Sequence, residues 1–325
     1  MSSETNFAKV KIEGIFNLEE FSKEYEMTPQ EVVQFHNQHC GLQELLSLNL
    51  SKYVQYVYLP SKNYEKQNSK VLKSSTLELP TGNEEKVYGV IIKFIPKDLQ
   101  IHYKIKVKRN PDYIELTKEK TYVNNQEIDK IIEQLFEKAE QAMYPLQISM
   151  KSNGRFDKII NHEEINKRWI TDYRPKLKEY YQSETTDQIL NQMDRAYENL
   201  NLKKEMFDRN LFYKLFFLPV FRGYTGYEAV ADLDVYFSSL NKNVQYNTKY
   251  LLNKKYTKGG KITLKIEGKE AEDGFNKSRN KGKLDCLYKL EKDTHEIFSI
   301  AGYCTVYERE EEHKVHFEMY KLNNF

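Results

Sequence analysis

The C-terminal third of the chain constrains the fold most strongly, because it combines strand-forming segments with almost no helical periodicity. β-branched and aromatic residues are concentrated in segments 230–237, 261–267, 284–290, 297–307 and 315–322, and turn residues separate these segments. The short connections between neighbouring segments favour antiparallel hairpins. We therefore predict an antiparallel meander over residues 229–323 that curls round the preceding helices.

The middle of the chain predicts further strands and a group of helices. Apolar residues such as Tyr103 alternate with polar ones such as Lys104, a pattern typical of a strand whose lysines face water. Helical spacing of apolar residues then dominates residues 125–215, where Pro175 must kink or divide a helix. Asn153 and Gly154 predict a hairpin turn within this stretch. The sequence thus predicts one α+β domain over residues 87–325 with a helical middle.

The first sixty or so residues predict a small strand–helix–helix–strand module, 1–62. Asn17 is placed to cap a first helix, and Thr28 with Glu31 forms a capping box at the start of a second. An aromatic and β-branched run then ends at Pro60. Residues 63–86 are rich in Ser, Asn and Lys and contain a Pro-Thr-Gly-Asn turn, which favours a linker. The predicted fold class is α+β with two domains.

Charge and composition exclude several classes of protein. The 50 basic and 48 acidic residues leave a net charge of +2, which argues against nucleic acid as a partner. No apolar stretch is long enough for membrane insertion, and the N-terminus lacks the pattern of a signal peptide, so we expect synthesis in the cytoplasm. Three cysteines are too few for a disulfide framework and predict reduced thiols.

The N-terminal module resembles a LysM module, a small βααβ carbohydrate-binding domain. The resemblance covers residues 10–60 and is carried by the apolar positions of the first helix, the turn between the helices, an apolar residue and an amide in the second helix, and the final strand: Leu18, Phe21, Tyr25-Glu26-Met27-Thr28, Val33, Asn37 and Tyr58-Leu59-Pro60. Ile15-Phe16-Asn17 stands where the family has Gly-Asp-Thr.

The resemblance implies a shallow groove for N-acetylglucosamine chains between two loops. The corresponding candidate ligand-binding residues are Gly14, Ile15, Phe16, Asn17, Gly41, Leu42 and Gln43. Phe16 is the candidate apolar platform on which a sugar would stack. A structural interpretation remains open, in which Phe16 is a core residue and Asn37 a turn amide.

The resemblance further implies a non-enzymatic binding or accessory protein. Its module would recruit the chain to a glycan of the peptidoglycan or chitin type, or to a protein partner. LysM modules without export signals also occur in bacterial contractile injection machines, so an adaptor role and export by a non-classical machine are what the resemblance allows.

Two other functions stay open. One is a peptidoglycan-acting hydrolase, which needs two carboxylates facing one cleft. The other is a small-molecule or lipid carrier, which needs a cavity between the sheet and the helices. The sequence contains neither a Gly-x-Ser-x-Gly elbow nor a P-loop, so we assign no catalytic residues and no cofactor.

Two clusters of polar residues suggest further sites. Residues 249–283 carry 11 Lys or Arg against four acidic residues, and the candidate partner-binding residues there are Lys254, Lys255, Lys258, Lys277, Arg279 and Lys281. The alternative is a solvated lysine-rich hairpin. His36, His39 and Cys40 have too few partners for a structural zinc site, and His313 and His316 would point to opposite faces of a strand, so we assign no metal.

Overall fold

The computed structural model describes residues 7–12, 16–25, 27–48, 55–60, 72, 74–271 and 280–322. Helices and a large antiparallel sheet make the chain an α+β protein, as the sequence predicts. Four of the predicted site residues, Gly14, Ile15, Lys277 and Arg279, lie outside the described residues.

Residues 7–60 contain a small strand–helix–helix–strand arrangement that we call the N-terminal unit. Its elements are β1 (Phe7–Lys11), α1 (Leu18–Glu24), α2 (Pro29–His39), a 3-10 turn (Leu42–Glu44) and β2 (Tyr56–Pro60). The two strands pair antiparallel, with Val10 opposite Val57. The Asn17 side chain accepts two amides at the start of α1, and Thr28 and Glu31 form the predicted capping box of α2.

One antiparallel sheet holds the remaining strands of the described ranges. They are β3 (Glu85–Ile95), β4 (Leu99–Arg109), β5 (Ile114–Val123), β6 (Gln126–Glu127), β7 (Leu146–Met150), β8 (Phe156–Ile159), β9 (Glu228–Phe237), β10 (Lys242–Leu252), β11 (Lys261–Glu270), β12 (Lys283–Glu291), β13 (Ile297–Glu308) and β14 (Glu311–Leu322). Their order is β8-β7-β5-β4-β3-β14-β13-β12-β11-β10-β9, with β6 pairing to β5. The predicted C-terminal meander corresponds to β9–β14, and its last strand pairs with β3, with Met319 opposite Val90.

Helices from the middle of the chain cover one face of this sheet, which we call the inner face. They are α3 (Ile131–Glu140), α4 (His162–Arg168), α5 (Arg174–Tyr180), α6 (Glu184–Glu198), α7 (Lys204–Arg209) and α8 (Leu211–Phe216). A π-helical turn (Trp169–Tyr173) precedes the predicted break at Pro175. Phe156 of β8 and Leu233 of β9 line the same small cleft, so the two ends of the sheet curve towards each other round α8.

The N-terminal unit packs on the opposite, outer face of the sheet. Leu45 contacts the cluster that contains Ile91 of β3 and Leu322 of β14, and Tyr320 of β14 belongs to the buried core of the unit itself. The approach is close, because a Cβ atom on Gly89 would lie 3.1 Å from the Leu45 side chain. The unit therefore covers the centre of the sheet, where β3 and β14 meet.

Polar contacts at this junction are buried. Glu318 is 2% exposed and accepts hydrogen bonds from the Leu48 amide at 2.7 Å and the Tyr320 hydroxyl at 2.6 Å. Lys289 donates to the side-chain oxygen of Gln34 at 2.5 Å. Burial raises the pKa of Glu318 to about 7 and lowers the pKa of Lys289 to about 8, because each charged form loses its hydration.

The predicted linker, 63–86, differs from its expected form where the structure describes it. Leu77 is 2% exposed, and its amide donates to the carbonyl of Arg222 at 3.0 Å. Thr76 forms a β-bridge with Gly223, and residues from Glu85 onwards already belong to β3. The polar composition of this segment conceals two buried leucines, Leu72 and Leu77, that anchor it to the large α+β domain.

Candidate functional site

A cleft of about 430 Å³ lies between the 3-10 turn of the N-terminal unit and the outer face of β4 and β5. Its walls are formed by Gly41, Leu42, Gln43, Glu44, Lys104, Glu119, Lys120 and Tyr122. Both parts of the chain contribute, so the cleft exists because the unit is docked on the sheet.

Hydrogen bonds from α2 fix the wall that the turn provides. The Asn37 side chain accepts the Leu46 amide at 2.6 Å and donates to the Leu46 carbonyl at 2.7 Å. His36 donates from Nε2 to the Glu44 carbonyl at 2.7 Å and accepts the Tyr58 amide at Nδ1, at 3.1 Å. Burial lowers the pKa of His36, which favours the neutral ring that these two bonds require. These bonds fix the C-terminal end of the turn, at Glu44 and Leu46.

The sheet provides an aromatic wall. The ring of Tyr122 is half-buried and stacks on His102, with the ring centroids 5.2 Å apart and the planes 6° from parallel. His102 is 2% exposed, and its Nε2 atom has no hydrogen-bond partner among the described residues. Burial lowers the pKa of His102 to about 4, so the ring is neutral at pH 7. Tyr122 therefore stands in the wall of the cleft beside a neutral ring stacked on it.

A β-bulge brings two further charged residues to the same place. The pairing of β4 and β5 shifts between Tyr103, which lies opposite Thr121, and Ile105, which lies opposite Lys118. Glu119 and Lys120 are consequently the extra residues of β5 opposite Lys104. Bulges redirect side chains and are frequent beside binding sites.

Three of the four charged side chains that line the cleft have partners. The Glu44 carboxylate accepts the Gly41 amide at 3.3 Å. Glu119 lies 3.5 Å from the ammonium of Lys106, and Lys120 lies 2.7 Å from Glu127. For Lys104, which is half-buried, the described part of the chain provides neither an ion pair nor a hydrogen bond to its ammonium.

The structure separates the candidate glycan residues into two groups. Gly41, Leu42 and Gln43 line the cleft. Phe16 and Asn17 do not line it: Phe16 packs against Phe21 with the ring centroids 4.9 Å apart, and Asn17 caps α1. The structural interpretation of Phe16 and Asn37 as a packing residue and a turn amide agrees with these contacts.

The described lysines of the predicted basic segment lie at two separate places. Lys254, Lys255 and Lys258 lie in the connection before β11, whereas Lys281 lies in the connection after it. A strand of this length separates them by about 30 Å, at about 3.3 Å per residue. In addition, the Lys254 ammonium lies over the ring of Tyr227, 5.3 Å from its centroid.

The histidine clusters also have structural roles. Both ring nitrogens of His36 are engaged, and His39 Nδ1 lies 2.8 Å from the Phe35 carbonyl. His313 and His316 point to opposite faces of β14, as their spacing predicts. Within the described ranges, no group of three or more His, Cys, Asp or Glu is arranged to hold a metal ion.

Aromatic residues fill much of the space between the sheet and the helices. Phe212 stacks on Phe216 at 5.3 Å, and the Tyr288 hydroxyl donates to the Leu215 carbonyl at 2.8 Å. Between the helices and the ends of the sheet, a cleft of about 200 Å³ remains, which is smaller than the range of about 300–1,000 Å³ typical of small-ligand sites. Of the helices that the structure describes, none has the length and apolar character needed to cross a membrane.

The sequence did not identify the sheet half of the cleft. Alternation in β4 predicted that its lysines face water, but Lys104 is half-buried beside the N-terminal unit, and His102 on the same face is buried. Period-two patterning distinguishes the two faces of a strand and does not show which parts of the outer face another segment will cover.

Comparisons with known proteins give little further guidance. No protein family profile and no curated protein sequence matches the chain. Among solved structures, the chain is similar to one titled "Lipid-protein interactions in lipovitellin", with 10% identity and a TM-score of 0.38. The similarity covers 73% of this chain and 24% of the lipovitellin chain, so this chain spans about a quarter of that protein. A similarity of this size establishes neither the fold nor a function.

Proposed function

We propose that this chain is a non-enzymatic binding protein that holds a saccharide of the peptidoglycan or chitin type in the cleft between the N-terminal unit and β4–β5. One observation carries the proposal: the loop that corresponds to a glycan-binding loop in LysM modules, Gly41–Gln43, lines the cleft opposite an aromatic ring, Tyr122. The loop and the ring line the same cleft, although they are far apart in sequence.

The composition of the cleft suits a sugar. A saccharide presents apolar CH faces, which stack on aromatic rings, and hydroxyl and amide groups, which need polar partners. Tyr122 offers a ring that its stack on His102 holds in place, and Gln43 with the charged side chains offers hydrogen bonds. The volume lies within the range of about 300–1,000 Å³ that is typical of small-ligand sites.

Titration with N-acetylglucosamine oligosaccharides tests this proposal. We expect the wild-type chain to bind chitotetraose, or soluble peptidoglycan fragments, in isothermal titration calorimetry. Tyr122→Ala should weaken binding about tenfold, because an aromatic stacking contact contributes about 0.5–1.5 kcal/mol beyond area burial.

Tyr303→Ala is the matched control. Tyr303 is also a half-buried tyrosine on the outer face beside a histidine, with its ring centroid 5.9 Å from that of His316, and it does not line the cleft. Its replacement should leave the affinity unchanged. No binding by the wild-type chain, or equal losses in both variants, would refute the saccharide proposal.

Glycan hydrolysis is the second candidate, because two carboxylates, Glu44 and Glu119, line the same cleft. We favour binding, since Glu44 accepts a backbone amide of its own turn and Glu119 lies near a lysine. Zymography on cell walls distinguishes the two functions: a cleared zone that disappears with Glu119→Gln would establish hydrolysis, and intact walls would leave binding.

A further inference from the structure

We propose that Lys104 makes the cleft selective for a saccharide that carries a carboxylate, with the Lys104 ammonium pairing with that group. This inference rests on the proposed saccharide site and specifies its ligand class. It concerns a residue of the large domain that lies outside the LysM-like unit.

The charge arrangement of the cleft supports an anionic ligand group. Glu44, Glu119 and Lys120 are each engaged with a neighbouring group of the chain. Within the described residues, the ammonium of Lys104 has no such partner, although the side chain is half-buried. The Lys104 ammonium is therefore available to a ligand, and a ligand carboxylate would gain a charge-assisted hydrogen bond there.

Lys104 is placed so that one saccharide could contact both its ammonium and the ring of Tyr122. Lys104 pairs with Gly89 of β3, and Leu45 of the N-terminal unit packs directly over that glycine. His102, two residues earlier on the same face, supports the ring of Tyr122. The ammonium and the aromatic ring therefore belong to one wall, so a sugar ring stacked on Tyr122 would carry its acidic substituent towards Lys104.

Three titrants separate this inference from the function on which it rests. They are chitotetraose, a peptide-free peptidoglycan tetrasaccharide with free muramic carboxylates, and the methyl ester of the same tetrasaccharide. We expect the free acid to bind about tenfold more tightly than the ester at 50 mM salt. The ratio should fall towards one at 500 mM salt, because ions screen a partly exposed charge pair.

Lys104→Met should bring the ratio of acid to ester close to one at low salt. Lys108→Met is the control, since Lys108 lies on the same strand and face, is exposed and does not line the cleft. This variant should keep the wild-type ratio. Thermal melts of both variants verify that each is folded.

The outcomes are distinct. Equal affinities of the wild-type chain for acid and ester would overturn the role of Lys104 and leave the saccharide function standing. Absence of binding to all three titrants would overturn both. A ratio that persists in Lys104→Met would overturn the assignment to this residue.

Discussion

Glu318→Gln tests whether the junction between the N-terminal unit and the sheet contains a carboxyl group with a raised pKa. The group is buried and accepts hydrogen bonds from the Leu48 amide and the Tyr320 hydroxyl, but it has no cation beside it in the described structure. Its pKa rises from the usual 4.5 to about 7 through burial. The folded chain therefore binds this proton more tightly than the unfolded chain does.

The sign and size of the effect follow from that difference. Because the folded pKa is raised, the stabilising contribution is fully present below pH 4.5 and is lost as the pH rises through 7. The full effect is about 3 kcal/mol, and about 2.5 kcal/mol of it falls between pH 5 and pH 8. Glutamine keeps an oxygen acceptor and does not titrate, so the free energy of unfolding of Glu318→Gln relative to the wild type should rise by about 2.5 kcal/mol over this interval.

Other groups on the outer face titrate in the same experiment. The pKa values of His102 and His316 are both lowered to about 4 by burial, so these residues favour the folded state as the pH rises from 4 to 6.5. Lys289, with a pKa of about 8, begins to change its contribution near pH 7 and continues to change it above pH 8. These effects occur in both proteins and cancel when the variant and the wild type are compared at each pH.

Urea unfolding at pH 5 and pH 8 gives the two free energies. Thiol labelling of Cys40, which is buried at the same junction, reports opening of the N-terminal unit under native conditions. The labelling rates of the variant and the wild type are compared at the same pH. Glu312→Gln is the control, because Glu312 also accepts a tyrosine hydroxyl, from Tyr307 at 3.0 Å, but is exposed. It should stay within about 0.5 kcal/mol of the wild type at both pH values. A difference between Glu318→Gln and the wild type that does not change with pH would refute the reasoning.

Two further predictions concern local structure. Asn37→Ala removes both hydrogen bonds to Leu46 and leaves two buried backbone groups unpaired. We therefore expect the free energy of unfolding in urea to fall by about 3 kcal/mol. An unchanged midpoint would contradict this expectation. Gly302→Ala should abolish soluble expression, because its Cβ would lie 2.3 Å from the Asp285 carbonyl oxygen. At Gly226 no atom lies within 4 Å of an added Cβ, but φ is +64°. Gly226→Ala should therefore remain soluble and lose about 1 kcal/mol of unfolding free energy. Equal soluble yields of Gly302→Ala and Gly226→Ala would show that the strands around Gly302 adjust to the added Cβ.

The sequence predicts local structure where each signal acts within a few residues. The capping box of Thr28 and Glu31 marks the start of α2, and the alternation around Tyr103 identifies β4 and its two faces. Such signals depend on hydrogen bonds and side-chain direction within one element. The strand–helix–helix–strand order and the C-terminal meander could therefore be predicted from the residues.

Contacts between distant segments could not be predicted in the same way. Nothing near Leu45 in the sequence indicates that it will pack over Gly89, and nothing near Lys104 indicates that a turn of another unit will stand beside it. The predicted glycan loop was therefore only half of the cleft. Charge counted along the chain also ignores that β11 lies between the described lysines of the basic segment, with Lys254, Lys255 and Lys258 before this strand and Lys281 after it.

The pairing of β3 with β14 has a consequence for how the chain matures during synthesis. These strands adjoin in space, yet β3 leaves the ribosome well before β14 does. The two arms of the sheet can therefore be joined only after β14 has been synthesised. Because the N-terminal unit packs over the seam between β3 and β14, it can dock only from that point onwards, and the cleft forms when it docks.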